Sequence, residues 1–346
     1  MPDTARKLAA LIAQQLECAT SVAQLGQAAL QIDRLVPLLH GRGESVEHIA
    51  HQVCELNARV FAQLWSLLAP ADLVAGSCLV VMGSEGRCEQ LLKTDQDNAL
   101  LLRDGGDYPG LELIAQQFIT ALTDFGYPRC PGDIMLSNPL WRQSVGDFRH
   151  RLREWMFGAD PQGPMRLAIF LDAVAVAGDA GLLQQALQFV QEHALDNDAF
   201  FARFARAADQ FNEPSGWWRR LAWGSPHEEP ALDLKKLGTF PIVHGVRALA
   251  LQHHLPAVPT TARLRGLVDG QHLPAQTAGQ LADALHVLME LKLQNNLRQR
   301  ERGEGLSNLL RVSTLSAPQH DVLRVALEVV KRFRQYLRVH FNLDAL

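Results

Sequence analysis

Leu79-Val80-Val81-Met82-Gly83-Ser84-Glu85-Gly86-Arg87 and, a few residues on, Thr94-Asp95-Gln96-Asp97-Asn98-Ala99-Leu100-Leu101-Leu102 set the fold class of this chain. Residues 79–82 and 99–102 are short apolar runs beside turn formers, the pattern of buried strands. Residues 84–92 suit a short helix with Ser84 as its N-cap. The order strand, Gly-Ser turn, short helix, Asp-x-Asp, strand predicts a small mixed sheet wrapped by helices, an α+β fold.

The same order has a chemical meaning. Free backbone N–H groups and the dipole at a helix start favour anions, and Gly83 lets the backbone come close to one. Gly83 and Ser84 are therefore candidate holders of a triphosphate. Asp95 and Asp97, at the start of a strand, leave the same face with their backbones roughly 6–7 Å apart. Two carboxylates so placed repel unless a cation lies between them. Mg²⁺ or Mn²⁺, bound through oxygen and shared with substrate phosphates, answers that need. A two-ion site about 4 Å across clamps the attacking and leaving oxygens of an in-line displacement. Attack on an α-phosphate with loss of pyrophosphate is the reaction type this predicts. Neither half of the motif decides alone, because Gly-Ser turns and solvated Asp-x-Asp turns are common. The run lacks the spacing of a P-loop and of a dinucleotide-binding turn, which excludes both.

The string from Gly83 to Leu100, Gly-Ser-Glu-Gly-Arg-Cys-Glu-Gln-Leu-Leu-Lys-Thr-Asp-Gln-Asp-Asn-Ala-Leu, resembles the signature of a bacterial nucleotidyltransferase family. Members of that family are often fused to CBS and cyclic-nucleotide-binding modules. The family is similar to the uridylyltransferase that modifies the PII signal protein, within the polymerase-beta-like superfamily. The resemblance continues at Cys130-Pro131-Gly132-Asp133-Ile134-Met135, Asn138-Pro139-Leu140-Trp141 and Ile169-Phe170-Leu171-Asp172. It reaches Leu232-Asp233-Leu234-Lys235-Lys236, Pro241-Ile242-Val243 and Arg247, and so covers nearly the whole chain.

What the resemblance implies is a third metal-holding carboxylate on a neighbouring strand. Asp172 is the candidate, because residues 167–177 are otherwise almost entirely apolar and a lone buried charge is costly. The alternative is that Asp172 sits at an exposed strand end or meets an Arg from a helix. The family pattern has Arg-Pro two and three residues after this Asp, where the chain has Val174 and Ala175. That departure leaves room for a slower, differently selective or catalytically lapsed protein.

Other residues carry weaker signals. Arg87 is a candidate phosphate contact, or a helix-surface partner of Glu89 or Asp95. Thr94 and Asn98 are placed to cap or orient the carboxylates, and Trp141 and Trp155 read as core or interface aromatics. Lys235, Lys236 and Arg247 are either substrate contacts or part of a solvated helix face.

Composition agrees with a soluble enzyme of two or three units in 346 residues. The net charge of −4, with Lys and Arg dispersed, argues against a nucleic-acid-binding surface. No early basic-then-apolar leader is evident and no apolar run approaches the roughly 18 residues of a membrane span, so a cytoplasmic location is expected. The five cysteines lack Cys-x-x-Cys spacing, which predicts reduced thiols rather than disulfides or zinc ligands. Cys130, before Pro-Gly, has no His near it in sequence to make it a nucleophile and reads as a buried thiol. The thirteen histidines make no metal-ligand spacing.

Three segments are expected. Residues 1–75 form a helical lead-in, with helices over 4–18, 22–40 and 45–68. Residues 76–180 form the nucleotidyltransferase domain, with a turn at 104–107, a helix over 111–125 and Asp172 on the sheet. Residues 181–346 form a helical substrate-binding bundle facing the sheet across a cleft, with helices over 182–193, 200–211, 234–253, 278–297 and 320–341. Breaks are expected near Glu229-Pro230 and over 256–259. With no segment left for CBS modules, regulation would come from a separate partner or the bundle. The expected activity is metal-dependent transfer of NMP from an NTP to an acceptor hydroxyl; the resemblance implies a protein acceptor and a uridylyl- or adenylyltransferase. The competing expectation is a nucleotide-sensing or partner-binding protein on the same fold.

Overall fold

The computed structural model describes residues 3–195, 197–209 and 231–345. They divide into two compact units, Met1–His193 and Ala194–Leu346.

In the first unit, helices α1 (Asp3–Cys18), α2 (Val22–His40) and α3 (Val46–Leu68) pack against one another. The serines before α2 and α3 start them: Ser21 accepts from the Gln24 N–H and Ser45 from the His48 N–H. After the short α4 (Ala71–Ala75) comes β1 (Ser77–Val81), buried at every position. A strand covered on both faces reads as a continuous apolar run, which is why residues 79–82 were legible.

The turn helix α5 (Gly83–Gly86) leads to β2 (Asn98–Leu102), α6 (Leu111–Asp124), β3 (Arg142–Ser144), α7 (Val145–Phe157), α8 (Gly163–Phe170), β4 (Val174–Gly178) and α9 (Ala180–Ala194). The sheet order is β3-β2-β1-β4, with β1 antiparallel to both neighbours and β2 parallel to β3. The fold is α+β with a small mixed sheet, as the sequence pattern implied. Val81 at the end of β1 is opposite Asn98 at the start of β2 and Val174 at the start of β4. The segments just outside those positions, which carry Gly83, Asp97 and Asp172, therefore converge at one edge of the sheet.

Two aromatic clusters fill the core. Phe61 and Trp65 of α3 meet Phe118 of α6 at ring distances of 6.4 and 5.7 Å, and Tyr127 lies 5.3 Å from Phe61. Trp141, Phe148, Trp155 and Phe170 form the second, with Trp141 and Trp155 5.1 Å apart and both buried. Each such ring, fully buried, contributes roughly 1.5–3 kcal/mol. The two tryptophans are core residues.

Three local expectations are corrected. The helix expected over 84–92 stops at Gly86, with Met82 rather than Ser84 as its N-cap; Cys88 takes a left-handed φ of 53°, which ends the helical path. The apolar run over 167–177 is the end of α8 followed by β4, because a short apolar stretch fits a buried helix as well as a strand. The cysteines are not all reduced: Cys54 of α3 is bonded to Cys88, while Cys18, Cys78 and Cys130 are free. That pairing joins positions 34 apart in sequence, an approach made by tertiary packing and invisible to spacing rules.

In the second unit, Asn197 caps α10 (Asp198–Ala205), which runs into a 3-10 turn Arg206–Asp209. The far end of the helix expected over 200–211 and the break at Glu229-Pro230 lie outside the described residues. Strands β5 (Ala231–Asp233) and β6 (Leu309–Arg311) pair antiparallel. The expected 234–253 helix is a π-helical turn, Lys235–Thr239, followed by α11 (Phe240–Gln252). Most of α11 is buried, so it is the centre of this unit. Helix α12 (Thr260–Asp269) packs on α11, α13 (Ala275–Glu301) packs on α12, and α14 (Ala317–His340) packs on both α13 and α11. Ser316 and Gln319 form a capping box at the start of α14. Among the described residues no helix is long and apolar enough to cross a membrane.

Candidate active site

Asp95 and Asp97 lie just before β2 rather than in it, in an extended segment where Gln96 bridges Arg129. Extended backbone still sends both side chains to one face, so the expected pairing survives the change of assignment. The Met82 N–H donates to the Asp97 carbonyl at 2.9 Å, which ties the end of β1 to this segment. Gly83 has a φ of +59°, and a Cβ there would lie 2.5 Å from Asp97 Oδ2. Glycine is needed at this position for two reasons, conformation and space. The Asp97 carboxylate rests directly against the backbone of the turn.

The residue between the aspartates and the one after them hold the facing loop. The Gln96 N–H donates to the Pro128 carbonyl at 3.1 Å, and its side-chain amide donates to the Tyr127 carbonyl at 3.0 Å. The Asn98 N–H donates to the Ile134 carbonyl at 3.1 Å, and Asn98 Oδ1 accepts from the Leu136 N–H at 2.9 Å. This ladder brings Cys130 over the carboxylates: ligand atoms of Asp95, Asp97 and Cys130 all lie within 4.8 Å of one another. Asn98 orients the loop and not a carboxylate; Thr94 does the latter, its hydroxyl donating to Asp95 Oδ1 at 3.0 Å. Burial first, then the charge and acceptance of Asp97, push the Cys130 thiol up to about 12. In sequence Cys130 has no His near it and reads only as a buried thiol. The signal that would have found it is the polar residue pair Gln96 and Asn98 around Asp97, which needs a loop to bind.

Asp172 lies in the turn between α8 and β4, fully buried, and is not part of that group. It meets an Arg: Arg87 Nη1 donates to Asp172 Oδ2 at 2.5 Å, while Arg87 Nε donates to Glu89 Oε2 at 2.6 Å. Burial alone would lower the Arg87 pKa, but the Glu89 and Asp172 carboxylates outweigh it and hold the guanidinium more firmly charged than usual. Ser84 donates to Gln90 Oε1 at 3.0 Å.

Glu85 of α5 points the other way, into the protein. It is 4% exposed and accepts from Asn57 Nδ2 at 3.1 Å, while Asn57 Oδ1 accepts from the Tyr127 hydroxyl at 2.6 Å. Lys93, buried beside them, donates to the Ala29 and Phe125 carbonyls and lies 4.7 Å from the centre of the Tyr127 ring. Burial raises Glu85 to about 8, against the smaller opposing effects of the Asn57 hydrogen bond and the Lys93 charge. The folded chain therefore holds this proton more tightly than the unfolded chain. The contribution of this proton to stability is expected to be greatest below the ordinary value of 4.5, to fall as pH rises, and to level off above about 8. One proton limits the slope to about 1.4 kcal/mol per pH unit. Glu85→Gln should remove this component, so urea midpoints measured from pH 5 to pH 8.5 should converge on the variant's at the acid end and fall below them at the alkaline end.

In the second unit the three basic candidates do not share a face. Lys235 and Lys236 are exposed, with Lys236 Nζ 3.8 Å from Asp233. Arg247 is 5% exposed and donates from Nη1 to His244 Nδ1 at 3.1 Å; His244 Nε2 donates to the Phe204 carbonyl at 2.7 Å.

A glycine turn thus lies against paired carboxylates where β1 ends and β2 begins. Residues 30–162 match the family described as "Putative nucleotidyltransferase DUF294", and residues 198–341 match the "Putative nucleotidyltransferase substrate binding domain". The chain belongs to this nucleotidyltransferase family. Membership implies an NTP substrate, and enzymes of this class generally use a divalent metal. Two carboxylates and a thiol are donors suited to such an ion. No curated protein matches the chain.

Proposed function

We propose that this protein transfers NMP from an NTP to an acceptor hydroxyl on a protein, in a uridylyl- or adenylyltransferase reaction dependent on Mg²⁺ or Mn²⁺. The observation that carries this reading is the Asp97 carboxylate set against the Gly83 backbone, with Asp95 beside it. Phosphates at the turn and a cation at the carboxylates would thereby be neighbours. Asp95 and Asp97 would hold the metal, which supplies charge neutralisation for the phosphates and the departing pyrophosphate.

The chain's own groups do the positioning. Gly83 admits the phosphate chain close to the first N–H groups of α5, which have no partner within the turn. Thr94 fixes Asp95 and the Cys130 thiol fixes Asp97. Arg87, through Asp172 and Glu89, holds the exit of the turn. The protein acceptor follows from the resemblance to the PII-modifying enzyme.

A second reading, a nucleotide sensor without turnover, draws on Val174, which is 37% exposed where the family pattern has Arg. The two part on one experiment. Purified protein is incubated with Mg²⁺ or Mn²⁺ and each α-labelled NTP, with host lysate as acceptor, and label on protein and pyrophosphate release are followed. Transfer of label from one NTP supports the enzyme and names its base. Nucleotide binding without pyrophosphate release would establish the sensor instead.

A further inference from the structure

We propose that Cys130 is the third protein ligand of the cation held by Asp95 and Asp97, and that its sulfur tilts this site from Mg²⁺ toward a borderline divalent ion such as Zn²⁺ or Co²⁺. The proposal rests on the reading of Asp95 and Asp97 as the metal-holding pair. It departs from the carboxylate triad that the resemblance implied, in which Asp172 was the third member.

Three observations carry it. First, the Cys130 sulfur and one oxygen from each aspartate lie within 4.8 Å of one another, the mutual spacing of ligands around one ion. Second, the position of Cys130 is built rather than incidental. The Gln96 and Asn98 backbones bind Pro128 and Ile134 on either side of it, and Asn98 Oδ1 holds Leu136. The residues that alternate with the aspartates along the chain are thus the ones that fix the thiol above them. Third, Asp172 is fully buried, clamped to Arg87 and outside this group, so the place of a third ligand falls to sulfur. Gly83, by lacking a Cβ, lets the Asp97 carboxylate rest against the turn.

The chemistry follows from donor softness. Oxygen donors suit Mg²⁺ and Mn²⁺, whereas a thiolate favours Zn²⁺ and Co²⁺ and adds little for Mg²⁺. On binding, the Sγ–H bond breaks, the proton leaves to solvent and the sulfur lone pair takes the ion. Nothing is oxidised or reduced.

Co²⁺ is the probe, because a thiolate ligand gives it a charge-transfer absorption that carboxylates do not. The full chain carrying Cys18→Ser, which removes the exposed free thiol, is stripped with chelator and titrated with Co²⁺, Zn²⁺ and Mg²⁺. The expected result is a sulfur-to-cobalt band that saturates with one ion. Cys130→Ser should abolish the band and weaken Zn²⁺ and Co²⁺ binding about tenfold or more, while moving Mg²⁺ less than about threefold. Cys130→Asp should also lack the band and bind Mg²⁺ more tightly than the parent, which tests the proposal even should the serine variant fold poorly. Co²⁺ binding without the band in the parent, or a band that survives in Cys130→Ser, would overturn the proposal and leave the aspartate pair standing. Binding unchanged in Asp95→Asn/Asp97→Asn would instead remove the pair itself, and Cys130 with it.

Discussion

Asp97→Asn is expected to lower nucleotidyl transfer by about 10³-fold or more while leaving the metal-free protein as stable as before, within about 1 kcal/mol. The two halves of this expectation come from the same geometry. Asparagine keeps the shape of aspartate and keeps an oxygen for the Cys130 thiol, so the packing against Gly83 is preserved. What is lost is one of two negative charges at a site whose purpose is to hold a cation against phosphate. Several kcal/mol of charge stabilisation removed from the reacting state is a loss of this size, at 1.36 kcal/mol per tenfold. With metal absent, the change also removes repulsion between Asp95 and Asp97, so the urea midpoint in chelator should hold or rise. Label transfer under saturating NTP and the two urea curves check it. A variant that transfers at the parent rate would dismiss the site, and one that is inactive because it unfolds would show in the curves.

That test bears on how much of the site was legible in sequence. Gly83, Asp95 and Asp97 announce themselves because each is demanded by local conformation or by close charge spacing, which a linear pattern records. Asp97 and Gly83 meet in space because β1 and β2 are antiparallel neighbours with Val81 opposite Asn98, a pairing that the two apolar runs already suggested. Beyond that, tertiary packing wrote what sequence spacing does not show. Cys54 and Cys88, Glu85 and Asn57, and Arg87 and Asp172 are pairs distant in sequence, each joining α5 or its exit to another element. The short helix after Gly83 was expected to run through residue 92, but the chain turns at Cys88 because its contacts there lie with α3 and Asp172, and local propensity gives way to them. In the second unit the tandem lysines were readable as an exposed pair. Arg247 was not readable as buried, because an Arg surrounded by apolar residues in sequence gives no sign of the His244 beside it.

The turn is gripped from beneath and from the side, and the side grip yields the second large effect: Arg87→Met is expected to destabilise the fold by about 3–5 kcal/mol. Asp172 has no exposed surface, and Arg87 Nη1 lies 2.5 Å from its Oδ2; a thioether in place of the guanidinium takes this charge partner from a buried carboxylate. Breaking one side of a buried pair is costly for that reason, whereas replacing both sides with apolar groups of similar size is often near neutral. Arg87→Met/Asp172→Leu should therefore recover the share of the loss that falls on Asp172, with a coupling well above what independent sites show, while the share from Glu89, which also loses this guanidinium, remains. The backbone makes the grip close as well as charged, since a Cβ on Gly86 would overlap the Asp172 carbonyl oxygen. Urea unfolding of the two single variants and the double variant measures the coupling, with unchanged slopes showing that only midpoints have moved. The double variant also decides what Asp172 is for. If it acts by holding Arg87, the restored protein still binds Mn²⁺ at Asp95 and Asp97 with parental affinity. Restored stability with lost Mn²⁺ binding would return Asp172 to the metal centre, where the family resemblance had put it.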